Sequence, residues 1–255
     1  MPRQYTLDLE KSRKKRDEHA KPELQLTRSI KILTPLPSTV DLRPKMPPVY
    51  DQGSIGSCTA NVFVAAFQYL DPTFYGSRLF LYYNERVIQG NVNVDTGATL
   101  DDGIVTLTKE GVCSETIWPY IVKKFTTQPA KTSYINALKH KIIKYEYVQN
   151  TLFSIKQTLV SGVPILCGIA VYNSFEANIV TRTGVVPMPK LKDKLLGGHA
   201  VMIVGYNDSK QWWIMRNCWG PKWGDKGYFY LPYAYLLNPN LCTELCNIRS
   251  VTRDI

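Results

Sequence analysis

Apolar residues gather in two kinds of stretch along the chain, and each kind predicts a different element. Residues 58–70 are almost entirely apolar and follow Ser57, which predicts a buried helix of about three to four turns that begins at Cys58. Two further helices are predicted over Thr99–Lys109 and Leu152–Ser161, and each is followed closely by a glycine.

Short β-branched and aromatic runs follow Pro164, and they predict antiparallel strands. Asn207–Lys210 forms a turn signal between two of them, so we expect a hairpin that brings the strand of His199 beside Asn217. Helices in the first half and strands in the second predict an α+β fold with two subdomains. The predicted strands are Ile165–Val171, His199–Tyr206, Gln211–Asn217 and Gly227–Leu231.

Composition and charge narrow the class of protein. The 255 residues are 44% hydrophobic, which is enough to form a core, and lysine plus arginine exceed the acids by 31 to 21. No zinc-finger or RNA-recognition motif accompanies this net charge of +10, so we do not expect nucleic acid to be the primary partner. The six cysteines have no framework spacing and are expected to be mostly small buried residues.

The first 35 residues differ from the rest. They hold nine basic and five acidic residues, lack helical periodicity and end at the prolines of Thr34–Pro37. We therefore predict a basic extension over residues 1–35 and a folded domain over residues 36–255. The extension has no apolar core of a secretory signal, and no run of the chain approaches the roughly 20 residues of a membrane span. We expect no membrane partner, and a location in a host or bacterial cytoplasm or in a virion.

Cys58 is the first candidate for chemistry. At a helix N-terminus, unpaired backbone N–H groups favour the thiolate, which is the nucleophilic form of cysteine. Of the three histidines, His19 lies in the charged extension and His140 lies between lysines, where we expect exposure to solvent. His199 follows two glycines and begins an apolar strand, so it is the candidate base.

Two more residues complete a possible set. The amide oxygen of Asn217 can fix the tautomer and ring orientation of His199, and Trp219 can exclude water from that hydrogen bond. Gln52 precedes Cys58 by six residues across a glycine-containing loop. Its side-chain amide and the N–H of Cys58 could together donate to an oxyanion.

These segments together resemble the papain-like cysteine proteases. The resemblance rests on Asp51–Cys58, Gly197–Val201 and Arg216–Tyr228, and it extends from about Pro35 to near the C-terminus. The Gly-Gly-His sequence is similar to that of cathepsin B. The family implies a helical N-terminal lobe and an antiparallel, β-barrel-like C-terminal lobe, with the active site in the cleft between them.

The resemblance also implies roles for individual residues. Cys58 would be the nucleophile, His199 the base and later the acid, Asn217 the residue that orients it, and Gln52 the oxyanion-hole donor. The substrates would be polypeptides, with no metal and no organic cofactor. Gly97, Gly198 and Trp219 are the expected substrate-binding residues, and Gly97 in Asp95–Ala98 matches the glycine whose backbone pairs with bound peptide.

The chain departs from the family pattern at several positions. Ile55 stands where secreted relatives have a cysteine, and Thr59 stands where the family has tryptophan after the nucleophile. No two histidines are adjacent, so the occluding loop of cathepsin B is not matched and we expect endopeptidase activity.

Alternatives remain open from the sequence alone. The same three catalytic residues could transfer the acyl group to an amine, or the scaffold could be a non-catalytic basic binding protein. The extension is shorter than the usual propeptide; we expect it either to lie in the cleft and restrain activity, or to pack elsewhere on the surface.

Overall fold

A computed structural model describes residues 5–19 and 35–252, and the structural statements below concern those residues. The chain forms eight helices and seven strands there, with short 3-10 helices at Arg43–Lys45, Val122–Lys124 and Asn173–Glu176. The helices are α1 (Leu9–His19), α2 (Cys58–Leu70), α3 (Arg78–Gln89), α4 (Leu100–Lys109), α5 (Lys131–Ala137), α6 (Leu152–Val160), α7 (Asn178–Thr183) and α8 (Tyr233–Leu237). The strands are β1 (Thr39–Asp41), β2 (Ile142–Tyr147), β3 (Ile165–Tyr172), β4 (Leu195–Asn207), β5 (Trp212–Arg216), β6 (Tyr228–Pro232) and β7 (Cys242–Val251).

The strands form one antiparallel sheet in the order β2-β7-β3-β4-β5-β6, and β1 pairs with β4. The predicted α+β class is confirmed. The sheet is open, however, so the expected barrel-like closure of the second lobe is not found. Its end strands β2 and β6 each pair with one neighbour in the described part of the chain.

The predicted central helix is confirmed as α2, which is buried for its first ten residues and packs against β4 and β7. Ser57 does not cap it with its side chain, because its hydroxyl instead contacts the hydroxyl of Tyr120 and accepts from Asn61. The other two predicted helices are found as α4 and α6.

Several elements were not predicted from the sequence. The most important is α1, because its polar, highly charged residues have no amphipathic pattern that predicts a helix. Strand β7 mixes cysteine, threonine, glutamate and asparagine, and it is a strand because it pairs with both β2 and β3 in the sheet. Contacts between segments distant in sequence therefore determine both elements.

The expectation that His140 is exposed was wrong. His140 is 3% exposed, and its ring stacks on that of Phe74 with centroids 3.8 Å apart. None of the described helices has the length and apolar character needed to cross a bilayer.

Candidate active site

Cys58 is the first residue of α2, and its side chain is fully buried against the sheet. The backbone N–H of Ala200, the residue after His199, donates towards its sulfur. Cys58 therefore lies against the residue next to His199, where α2 contacts β4.

Burial opposes the ionisation of Cys58 that the helix N-terminus favours. Burial raises the pKa of its thiol to about 12, and hydrogen bonds from the N–H groups of Ala200 and Thr59 offset this only in part. The buried carboxyl of Glu85 raises the pKa further. Desolvation and the backbone N–H groups therefore act on the pKa of this thiol in opposite directions, and desolvation is the larger of the two.

His199 and Asn217 are joined as the sequence predicts. His199 Nε2 lies 2.9 Å from Asn217 Oδ1, and both residues are buried. Because an amide oxygen only accepts, Nε2 carries a proton, and Nδ1 is the ring nitrogen that can exchange a proton with Cys58. The Trp219 ring stacks on the imidazole with centroids 4.6 Å apart and planes 22° apart, which excludes water from this bond.

The hairpin of β4 and β5 positions this pair. Met202 of β4 is paired with Arg216 of β5, and Asn217 is the next residue along the chain. Asn217 Oδ1 also accepts from the backbone N–H of Cys218 at 2.8 Å, which holds the amide in one orientation. The predicted turn at 207–210 thus brings the histidine and the asparagine together.

Gln52 is not a solvent-facing loop residue, since it is 1% exposed and its side chain and backbone N–H form three hydrogen bonds. Its Nε2 donates to Ile55 O at 2.9 Å, its Oε1 accepts from the Cys218 thiol at 2.9 Å, and its backbone N–H donates to Cys218 O at 2.9 Å. The amide group therefore has a fixed orientation in the loop that leads to Cys58.

A buried polar network holds this loop, and sequence reasoning did not find it. Arg78 of α3 donates to Asp51 O and to Asn61 Oδ1, and its guanidinium lies 4.0 Å from the ring centroid of Tyr120. The Tyr120 hydroxyl donates to Gln52 O at 2.8 Å. These residues lie far apart in the sequence and belong to no local motif, so only tertiary contact identifies them.

The extension lies over the candidate catalytic residues. The ring of Tyr5 contacts those of His199 and Trp219 edge-on, with centroids 6.4 Å and 5.8 Å apart, and its hydroxyl donates to Glu176. Thr6 Oγ1 donates to Gly56 O at 3.1 Å. The described residues of the extension thus lie in the groove between α2 and the sheet, which is where the first of the two expectations placed them.

Leu7 and the predicted substrate-binding glycines form the next part of the groove. Leu7 N donates to Gly198 O at 3.1 Å, and Leu7 is 3% exposed. A Cβ atom on Gly198 would lie 2.2 Å from Leu7 O, and one on Gly97, whose φ is +71°, would lie 2.2 Å from Thr6 O. Both positions require glycine for the close approach of this backbone. Gly97, Gly198 and Trp219 therefore contact a bound peptide segment, here the chain's own.

All six cysteines are free and buried, as predicted. Within the described residues, no group of three or more histidine, cysteine or acidic side chains could hold a metal ion.

The fold is of the α+β class, and a cysteine at a helix N-terminus lies near a histidine that is hydrogen-bonded to asparagine beneath a tryptophan. This is the arrangement of a papain-type thiol hydrolase. The model of the papain family cysteine protease, Peptidase_C1, matches residues 36–250. The chain belongs to this family.

Relatives and solved structures agree. The chain is 41% identical over 219 residues to an uncharacterised peptidase C1-like protein of Acanthamoeba polyphaga mimivirus, a match of 80% of this chain and 70% of that protein. It is 30% identical to Cathepsin B-like CP3 of Giardia intestinalis, across 77% of this chain and 69% of that one. Xylellain, a cysteine protease from Xylella fastidiosa, has a similar structure with a TM-score of 0.78 and 40% identity, covering 84% of this chain and 87% of that one.

The predicted activity, thiol-dependent hydrolysis of peptide bonds in polypeptide substrates, is confirmed by this family membership. Neither acyl transfer to amines nor non-catalytic binding is favoured by these relatives.

Proposed function

We propose that Cys58, His199, Asn217 and Gln52 carry out this hydrolysis, and that residues 5–15 restrain it by occupying the groove. The observation that carries the proposal is the hydrogen bond from His199 to Asn217 beneath Trp219, with the Cys58 sulfur against the N–H of Ala200. His140, the other histidine whose side chain the structure describes, instead stacks on Phe74.

Each of these residues has a separate role in the hydrolysis of the peptide bond. His199 Nδ1 takes the proton of Cys58, and the sulfur attacks the peptide carbonyl carbon. The oxyanion receives hydrogen bonds from the Cys58 N–H and from the second N–H of Gln52 Nε2. The C–N bond then breaks as His199 gives its proton to the leaving amine. Water attacks the thioester with His199 as base, which releases the acid and restores the thiol.

The direction of the extension supports the restraint. The leaving amine must meet His199, so the leaving part of a substrate extends towards Trp219, where Tyr5 lies. The acyl part extends the opposite way, past Gly97 to Gly168, where Leu7 lies. A substrate therefore runs from the Leu7 position to the Tyr5 position, whereas the extension runs from Tyr5 to Leu7. In this reversed direction, the extension fills the subsites without aligning a peptide bond for cleavage.

We also propose that the activity is that of an endopeptidase. An exopeptidase needs a group that binds a chain terminus, such as the adjacent histidine pair of cathepsin B, and this sequence has no such pair.

The catalytic assignment is tested by treating the full-length chain with a peptidyl epoxide and locating the modified cysteine by mass spectrometry. We expect Cys58 alone to be labelled, and Cys58→Ala to lose hydrolysis by at least 1,000-fold, the order seen when a nucleophile is removed. Circular dichroism checks that the variant is folded. Labelling of any other cysteine, or full hydrolysis by the variant, would refute the assignment.

The restraint is tested with Leu7→Asp in the full-length chain. A carboxylate in this apolar pocket opposes docking of the extension, so we expect labelling of Cys58 to become roughly 10- to 100-fold faster, as for a loss of about 1–3 kcal/mol. Leu138→Asp makes the same change at a leucine that is 55% exposed and should leave the rate unchanged. An equal rate for wild type and Leu7→Asp would contradict the restraint.

A further inference from the structure

Three acidic residues lie beneath the extension helix, just beyond the pocket that holds Leu7. We call Asp101, Asp102 and Glu244 the acidic cluster. Asp101 and Asp102 are in the first turn of α4, and Glu244 lies on β7, the strand on which α1 packs. The acidic cluster therefore lies between the folded domain and α1.

Glu244 is the unexplained member of the cluster. It is 1% exposed, and neither of its carboxyl oxygens accepts a hydrogen bond of full geometry among the described residues, although the Ser12 hydroxyl and the backbone N–H of Asp101 lie close enough to lower its pKa. Burial raises its pKa to about 8, the charge of Asp101 raises it further, and the nearby Ser12 hydroxyl lowers it only in part. A buried carboxyl without a hydrogen bond of full geometry costs folding free energy, so its presence needs an explanation beyond stability.

The other two members have structural roles that leave one oxygen of each towards α1. Asp102 forms the capping box of α4 with Thr99, while its Oδ1 lies 4.0 Å from Lys11 Nζ. Asp101 accepts from the Tyr147 hydroxyl through Oδ1, while its Oδ2 lies 3.5 Å from Lys15 Nζ. The extension thus presents lysine side chains to the cluster.

The position of the cluster relates it to a substrate. The Leu7 pocket is bounded by Gly168 and Thr243, because a Cβ on Gly168 would lie 2.6 Å from Leu7 Cδ2 and 2.2 Å from Thr243 Oγ1. Glu244 directly follows Thr243, and Asp101 comes four residues after Gly97. The cluster therefore begins where the Leu7 pocket ends, on the side that the acyl part of a substrate would follow.

We infer that the acidic cluster binds a lysine or arginine side chain three or four residues before the scissile bond of a peptide substrate. This inference rests on the proposed function. When the extension leaves the groove, the acidic cluster loses Lys11 and Lys15 and has an excess of negative charge. The cluster then lies beside a pocket for an apolar side chain. A basic side chain of the substrate would replace Lys11 and Lys15 there and pair with Glu244, which forms no ion pair with a basic side chain among the described residues.

The test uses the full-length chain with Leu7→Asp and fluorogenic peptides that have leucine two residues before the scissile bond. The peptides differ only in having lysine, glutamine or glutamate three or four residues before that bond. We expect kcat/KM for the lysine peptide to exceed that for the glutamate peptide about tenfold, mainly through KM. In the double variant Asp101→Asn with Glu244→Gln, we expect this ratio to fall below about twofold.

Two controls keep the outcomes distinct. Glu110→Gln removes a charge at the exposed end of α4, away from the cluster, and should leave the ratio at about tenfold. Labelling of Cys58 in the wild-type chain by epoxides with lysine or glutamate at the same positions measures the preference without Leu7→Asp. We expect the lysine epoxide to label faster.

Equal hydrolysis of the lysine and glutamate peptides would overturn the inference and leave the proposed protease function intact. The same follows if the lysine preference persists in the double variant. Failure of every peptide to be cleaved, together with failure of every epoxide to label Cys58, would instead overturn the proposed function and this inference with it.

Discussion

At the scale of single residues, the site depends on how each polar side chain is paired. His199 uses Nε2 for Asn217, so the asparagine fixes both the tautomer and the angle of the ring. The Cys58 sulfur lies against the backbone N–H of Ala200, the residue next to His199. Removing the orienting residue should therefore be less damaging than removing the base.

Substitution of these two residues tests that order. We expect His199→Ala to lower kcat by about 10³-fold or more and Asn217→Ala by about 10- to 100-fold, because the second variant keeps an imidazole that is only misoriented. Steady-state kinetics of the Leu7→Asp chain carrying each substitution would measure this. A larger loss in Asn217→Ala would contradict the assigned roles.

The orientation of the Gln52 side chain could not be predicted from the sequence. The six-residue spacing to Cys58 indicates an oxyanion donor, but the bonds that orient its amide come from Ile55 and from Cys218, which lies 166 residues away. The thiol of Cys218 has no motif of its own, so its contact with Gln52 could not be predicted.

At the scale of elements, the predictable parts are those whose pattern reflects burial. Helix α2 is apolar on all sides because it lies in the core, and the β4–β5 hairpin follows from two apolar runs joined by a turn. Helix α1 has the opposite character, since its residues are mostly charged and it is held by contacts with other elements. A pattern of charges without an apolar face does not distinguish such a helix from a solvated segment.

The ion pairs of α1 should contribute less to its docking than Leu7 does. Lys11 and Lys15 are about 40% exposed, with side-chain exposures of 42% and 36%, so solvent screens their pairs with Asp102 and Asp101. For the double variant Lys11→Gln with Lys15→Gln, we expect Cys58 labelling to become about two- to tenfold faster at low salt, with a smaller difference at 1 M salt.

The measurement is the rate at which the peptidyl epoxide labels Cys58 in the full-length chain, from samples quenched at successive times at both salt concentrations. Lys14→Gln, an exposed lysine of the same helix, is the matched control. An acceleration by the double variant as large as that of Leu7→Asp would mean that charge, and not apolar contact, dominates the docking.

At the scale of the whole molecule, the docked extension buries groups that would otherwise meet water. Burial raises the pKa of the Cys58 thiol, and Ser12 of α1 lies against Glu244. Burial also raises the pKa of the carboxyls of Glu85 and Glu115, although these have partners in Thr59 and Arg78. The stability of the folded chain is therefore coupled to pH through several buried acids.

Glu244 should make the folded chain less stable as the pH rises, and this effect can be measured. Its pKa is about 8 in the folded chain against an ordinary value of 4.5, so between these pH values the unfolded chain releases a proton that the folded chain keeps. Its contribution to stability is fully present below about pH 4.5 and is lost as pH rises through 8. At pH 8.5 we expect the free energy of unfolding of Glu244→Gln to exceed that of the wild type by roughly 1–3 kcal/mol, so that the variant unfolds at a higher urea concentration. At pH 5 we expect a smaller difference.

Urea unfolding of wild type, Glu244→Gln and the exposed control Glu110→Gln at the two pH values would decide this. Because Glu85 and Glu115 are present in all three chains, their contributions cancel in the comparison. A stability difference that does not change with pH would show that Glu244 is already ionised in the folded chain.

The sequence by itself determined the class of fold, the positions of Cys58, His199 and Asn217, and the pairing of the last two. These follow from local periodicity and from a hairpin register, in which neighbours in the chain become neighbours in space. Tertiary structure alone decided that Tyr5, Thr6 and Leu7 cover those residues, that the sheet stays open, and that Glu244 is buried beneath α1. The physical reason is that these features depend on contacts between segments up to about 240 residues apart. Such contacts do not require a periodic pattern of residues in either segment.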